Sequence, residues 1–350
     1  MTDILLYAVT VVVWGSSWLA ITYQLGTVAP EVSLVYRFVL AAALMIAFCV
    51  VSGRRMRFTL AEHGRMALMG VFLFSTNYFL IYLATQYLTS GLVAVGFSSV
   101  VVMNIVFGAL LFGALVRPRV VAGAAIGMAG IATVFWPEIA AFDLASDGSL
   151  GLVLVLAGTA SASLGMLTSG RNQKRGLPVV QTNAYGMAYG AALLLAFSLA
   201  RGTPFAFEYS FPYIASLLFL AVFATVIGFW TYLTLLGRIG ADRAAYASVM
   251  FPIVALALST LFEGFQWTTA AAVGVVLVLC GNALVLSRGR SPAVPAARTA
   301  TEKGEMEWTP PGTGSWRRRV DVDPHGPTAS KCQVGRASSS QANRRVRDED

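Results

Sequence analysis

Residues 91–115 read GLVAVGFSSVVVMNIVFGALLFGAL, twenty-five positions without one charged side chain. As a helix rising 1.5 Å per residue this run is ~37 Å long, enough for the ~30 Å hydrocarbon core of a bilayer. Nine more runs follow the same rule: 4–23, 32–52, 66–86, 119–137, 149–169, 179–200, 212–236, 243–262 and 268–287. They are too long for barrel strands and lack the in-out alternation of one. The sequence therefore predicts an all-α integral membrane protein with ten transmembrane helices. No cation precedes the first run and no small-residue cleavage site follows it, so it reads as a retained helix, not a signal peptide.

Composition agrees. Of 350 residues, 57% are hydrophobic and 12% charged, about half the charge of a soluble domain. Up to Leu286 there are 13 Lys/Arg and 9 Asp/Glu, and the remainder adds 12 and 8. No basic face with interleaved aromatics appears, which excludes nucleic acid as a partner. Cys49 and Cys280 lie in apolar runs and Cys332 in a polar stretch, with no CxxC pair. His63 and His325 have no second ligand at helical spacing, and HExxH, P-loop and GxSxG patterns are absent. No metal site and no cofactor is expected. Residues 288–350, rich in Ser, Pro, Gly and Arg, read as a disordered basic cytoplasmic tail.

Loop charges set the orientation. The loops after the second, fourth, sixth and eighth runs hold eleven Lys/Arg, and the other five hold only Arg201. The positive-inside rule puts both termini in the cytoplasm. Tyr23, Tyr87, Trp136 and Trp267 then fall at outer helix ends.

The chain repeats. An offset of 151 lays Gly113, Gly123 and Gly130 on Gly264, Gly274 and Gly281, and Pro30 and Pro178 both open apolar helices. Five helices per half is an odd number, so the second copy enters the membrane upside down. The halves are 1–137 and 149–287.

Trp14-Gly15-Ser16-Ser17-Trp18, Pro30 and Arg37 resemble the EamA family of the drug/metabolite transporter superfamily. So do Gly240-Ala241-Asp242-Arg243-Ala244-Ala245, Phe251-Pro252, Glu263 and the Gly274 to Gly281 ending. The resemblance covers about residues 4–287. It implies a transporter of small metabolites (amino-acid-like or drug-like solutes), commonly an exporter, in the cell's inner (plasma) membrane. The halves have diverged: Val101 stands opposite Pro252, Phe112 opposite Glu263, and Tyr185 opposite Arg37. Any substrate site is then asymmetric.

Polar residues inside spans are costly unless partnered, which makes them candidates. Arg37 sits one and a half turns into the second helix. It either snorkels or pairs with Glu31 or Glu263 as an outer lock, or it attracts an anionic group of the substrate. Asn77 and Tyr82 in the third helix, with Ser98 and Asn104 in the fourth, bond between helices or to a ligand. Trp14, Trp230 and Tyr246 are cavity aromatics or packing residues, the resemblance favouring Tyr246. Ser161 lies on a small-residue face with Ala157, Gly165 and Ser169. Pro252, inside the ninth helix, is a candidate gate hinge, and Glu263 a candidate gate residue.

All acids of this region lie near span ends, so the sequence predicts facilitated or exchange-driven transport without a titrating acid in the central site. The chain is expected to work as a monomer or homodimer by alternating access. A membrane-embedded enzyme would need paired acids or a metal set at one depth. A non-transporting membrane sensor is the other alternative.

Overall fold

In the computed structural model the described residues are 2–113, 116, 118–140, 146–239 and 247–286. The stretch read as a tail and Tyr246 both lie outside them. Among the described residues there is no strand, and the helices belong to one compact unit.

The helical rods are α1 (Asp3–Thr22), α2 (Pro30–Val51), α3 (Leu60–Ala84), α4 (Ser90–Phe112) and α5 (Pro118–Val134). After a short helix at Trp136–Ala140 come α6 (Asp147–Lys174) and α7 (Val179–Ala200). The segments Phe211–Leu218, Phe219–Ile227 and Gly228–Ile239 run on as α8. The last two are α9 (Ala247–Phe262) and α10 (Thr269–Leu286). Among the described residues eight of these are long and apolar enough to cross a membrane, with α5 and α9 shorter apolar helices.

The exterior settles the solvent. Only 28–50% of each long span is buried, and the outward remainder is as apolar as the core: Ile4, Val51, Leu110 and Leu261 are 75–88% exposed. Helices apolar all round belong in lipid. This is a multi-pass membrane protein.

Two ends differ from the hydropathy reading. α3 starts six residues before the predicted 66, because Thr59 and Glu62 form a capping box. The Glu62 carboxylate accepts from the Thr59 amide at 2.6 Å, and the Thr59 hydroxyl accepts from the Glu62 amide at 3.3 Å. α6 runs five residues past the predicted 169, where Arg171 and Lys174 suit the negative end of the helix dipole.

Three rods are irregular inside. α3 and α8 widen into π-helical turns at Val71–Thr76 and Phe219–Ile227, and α4 breaks into a turn at Ser98 and Ser99. α9 runs unbroken through Pro252.

The packing pairs are reciprocal. α2 lies on α7 and α5 on α10. α1 packs on α8 and α9, while α6 packs on α3 and α4. α5 and α10 touch through backbone. A methyl on Gly130 would stand 2.6 Å from the Gly274 carbonyl oxygen, and one on Gly123 would stand 2.8 Å from that of Gly281. The numbers run in opposite directions, so the two helices are antiparallel.

Candidate functional site

Among the described residues Arg37 is a charged side chain buried inside a helix, only 3% exposed. α2 carries it about 10 Å from its N-terminal end, facing α3. Its guanidinium lies 4.6 Å from the Tyr78 ring centre and 5.3 Å from that of Phe38. Nη1 donates to the Tyr82 hydroxyl at 3.4 Å, and the buried Nε has no partner.

Neither carboxylate proposed for an outer lock reaches it. Glu31 accepts from the Thr203 hydroxyl at 3.0 Å and from Arg201 at 3.5 Å. Glu263 accepts from the Ser90 hydroxyl and takes the Ser90 amide on both oxygens, at 3.0 and 3.1 Å. A carboxylate here caps the positive N-terminal end of α4. Glu263→Gln is expected to lower stability by about 1 kcal/mol, read as a lower Tm in detergent; an unchanged Tm would remove the cap from the account.

The other candidates are dispersed. Asn77 is buried, donates to the Leu73 carbonyl of its own helix at 3.3 Å, and leaves Oδ1 without a partner. Ser98 bonds back to the Ala94 carbonyl at 3.2 Å. Asn104 joins α4 to α6, its Oδ1 accepting from Ser163 at 2.7 Å. Pro252 is buried inside α9. Trp230, read as a cavity aromatic or a packing residue, is 54% exposed on α8.

Trp14 and Ser161 play matching parts. The Trp14 indole N–H donates to the Ala224 carbonyl in the π turn of α8 at 2.8 Å. The Ser161 hydroxyl donates to the Phe72 carbonyl in the π turn of α3, also at 2.8 Å. A wide turn leaves carbonyl lone pairs within reach of side chains from a neighbouring helix, and such turns recur at functional sites. Each bond joins one half of the chain to the other.

A second matched pair was missed by the sequence reading. Tyr36 on α2 donates its hydroxyl to the Ala206 carbonyl at 3.1 Å and packs on Phe207, which packs on Tyr213. Tyr185 on α7 donates to the Met56 carbonyl at 2.8 Å and packs on Phe58, which packs on His63. Corresponding members stand 149 or 150 residues apart. Tyr185 is thus the counterpart of Tyr36, not of Arg37 as the offset from the prolines suggested; Gly186 follows it, and Arg37 has no cationic mate. The only signal available was a tyrosine six or seven residues after a proline at a helix start. A buried network at Gln24, Ser33, Tyr213 and Ser216 also escaped notice.

Comparison with known proteins adds the family. The chain matches the EamA-like transporter family over residues 1–136 and again over 149–287. It is 20% identical to protein PagO of Salmonella typhimurium, over 84% of this chain and 96% of that one. An uncharacterized transporter, YvbV, of Bacillus subtilis is 25% identical over 82% of this chain and 92% of its own. The uncharacterized inner membrane transporter YedA of Escherichia coli is 26% identical over 78% and 89%. One solved crystal structure shares the fold with a TM-score of 0.59 at 20% identity, covering 81% of this chain and 95% of that one.

Proposed function

Because this chain belongs to the EamA-like transporter family, we propose that it is a secondary transporter of small metabolites, working by alternating access in the inner (plasma) membrane as a monomer or homodimer. Its ten spans form two inverted five-helix repeats, with both termini cytoplasmic. The double family match and the antiparallel, reciprocal seating of Gly123 and Gly130 on Gly281 and Gly274 support this arrangement. Reciprocal contacts are the mark of a two-fold axis, and antiparallel partners require that axis to lie across the helices, in the membrane plane.

One observation carries the mechanism: the tyrosine latches. With cytoplasmic termini, the segment before α8 is external and the segment before α3 internal. Tyr36 then fastens the outer connection to α2, and Tyr185 fastens the inner connection to α7. Alternating access needs one such closure on each face, equal in kind and released in turn. The two π turns, each bonded across the halves, supply helices able to bend when a latch opens. Export is the favoured direction, by analogy within the family.

The test is counterflow. Proteoliposomes preloaded with each of a panel of amino acids, organic acids and amines should accumulate the radiolabelled form of at least one of them, without an imposed gradient. The charge inventory predicts counterflow that survives a collapsed pH gradient. Accumulation of none, alongside hydrolysis or conversion of one, would favour a membrane-embedded enzyme instead.

A further inference from the structure

The geometry points to a substrate that carries a single carboxylate, received by Arg37 and the hydroxyl of Tyr82; this rests on the transport reading only for what the binding is for. A guanidinium withdrawn from water is among the costliest groups to bury, and proteins ordinarily compensate it with a carboxylate. Arg37 is 3% exposed, yet among the described residues no carboxylate lies within ion-pair distance of it. Glu31 and Glu263 are held by Thr203 with Arg201, and by Ser90. The Tyr78 and Phe38 rings ease the charge by cation–π attraction and do not neutralise it.

The donors left over have a shape. Arg37 spends Nη1 on Tyr82, and Nε is buried without a partner. Nε lies on the side of the guanidinium away from Nη1, where the planar fork matches the two oxygens of a carboxylate. Tyr82 accepts from Arg37, so its own proton remains to donate to the same anion. Among the described residues the site holds one cation. A phosphate group, close to two negative charges at neutral pH, would bring a charge that nothing here balances. A neutral amide would leave the guanidinium uncompensated. The second half offers no equivalent, since Tyr185 answers Tyr36 and Gly186 stands next to it, so one carboxylate is held on one side of the pseudo-axis.

The test uses the full chain purified in detergent and followed by thermal unfolding. The probes are benzoate, phenylacetate, lactate, threonine and phenylalanine, each paired with its amide, together with inorganic phosphate. At least one carboxylate is expected to raise Tm, with its amide at least tenfold weaker. Arg37→Met should abolish that shift while the empty variant melts higher than the empty wild type, because an unpaired buried charge has gone. Tyr82→Phe, which removes one hydroxyl, should weaken the carboxylate about tenfold and carries the test alone if Arg37→Met does not fold. The inference falls if no carboxylate stabilises the wild type, if amides or phosphate do so equally, or if both variants respond like the wild type. Carboxylate binding through Arg37 without any counterflow would sink the transport reading and leave this site standing. Counterflow of a neutral or cationic solute, unchanged in Arg37→Met, would do the reverse.

Discussion

Gly130→Val is expected to cost about 3 kcal/mol or more and to leave little folded protein after extraction in mild detergent. The β-carbon alone would sit 2.6 Å from both the Gly274 carbonyl oxygen and the Val278 amide nitrogen. Those are backbone atoms of α10, which cannot rotate aside as a side-chain tip would. α5 and α10 would have to part along their whole contact, giving up dispersion that lipid tails only partly restore. Gly127→Ala is the control. It lies on the same stripe, but its nearest neighbours would be Asn282 Oδ1 at 3.8 Å and the Gly281 α-carbon at 4.0 Å, ordinary contact distances, so stability should change by less than about 1 kcal/mol. Size-exclusion profiles and Tm of the two variants decide it. Equal behaviour would mean that the helices do not meet as described.

Fastening a latch should stop transport outright. In a background without cysteines, cysteines replacing Tyr36 and Ala206 are to be joined by a short bifunctional thiol reagent, and likewise cysteines replacing Tyr185 and Met56. Either cross-link is expected to reduce counterflow at least twentyfold relative to the same variant before joining, with recovery once a cleavable reagent is reduced. Losing one tyrosine hydroxyl bond, about 1 kcal/mol, only shifts the balance between states, whereas a covalent tie removes one state altogether. Full counterflow through a fastened latch would show that the segment does not move in the cycle.

How much of this lay open in the sequence depends on what hydropathy senses. It measures transfer into lipid averaged around a helix, so it located α7 at 179–200, to the residue, and the other spans within a few positions. It is blind where polar backbone chemistry takes over. The Thr59–Glu62 capping box moved the start of α3 into water, and nothing in Val71–Thr76 or Phe219–Ile227 announces a π turn. The repeat was legible from its glycines because close backbone contact tolerates no side chain. The latches were not, because a tyrosine donating to a carbonyl 129 or 170 residues away leaves no local pattern. For the site, the depth of Arg37 was plain from its place in α2. That Glu31 and Glu263 would both be engaged elsewhere is a fact of packing, and only the fold reveals it.

Distances across the two latches in one population decide whether the two faces open in turn. Spin labels at Tyr209 and Val39 report the outer latch, and labels at Arg57 and Leu193 the inner one; all four positions are exposed. Pulsed electron–electron resonance is then recorded on the parent protein and on Tyr36→Phe and Tyr185→Phe. Tyr36→Phe is expected to lengthen the outer distance while the inner stays closed, and Tyr185→Phe to do the opposite. Both distances lengthening together, or neither responding to the loss of its own hydroxyl, would contradict two latches released in turn.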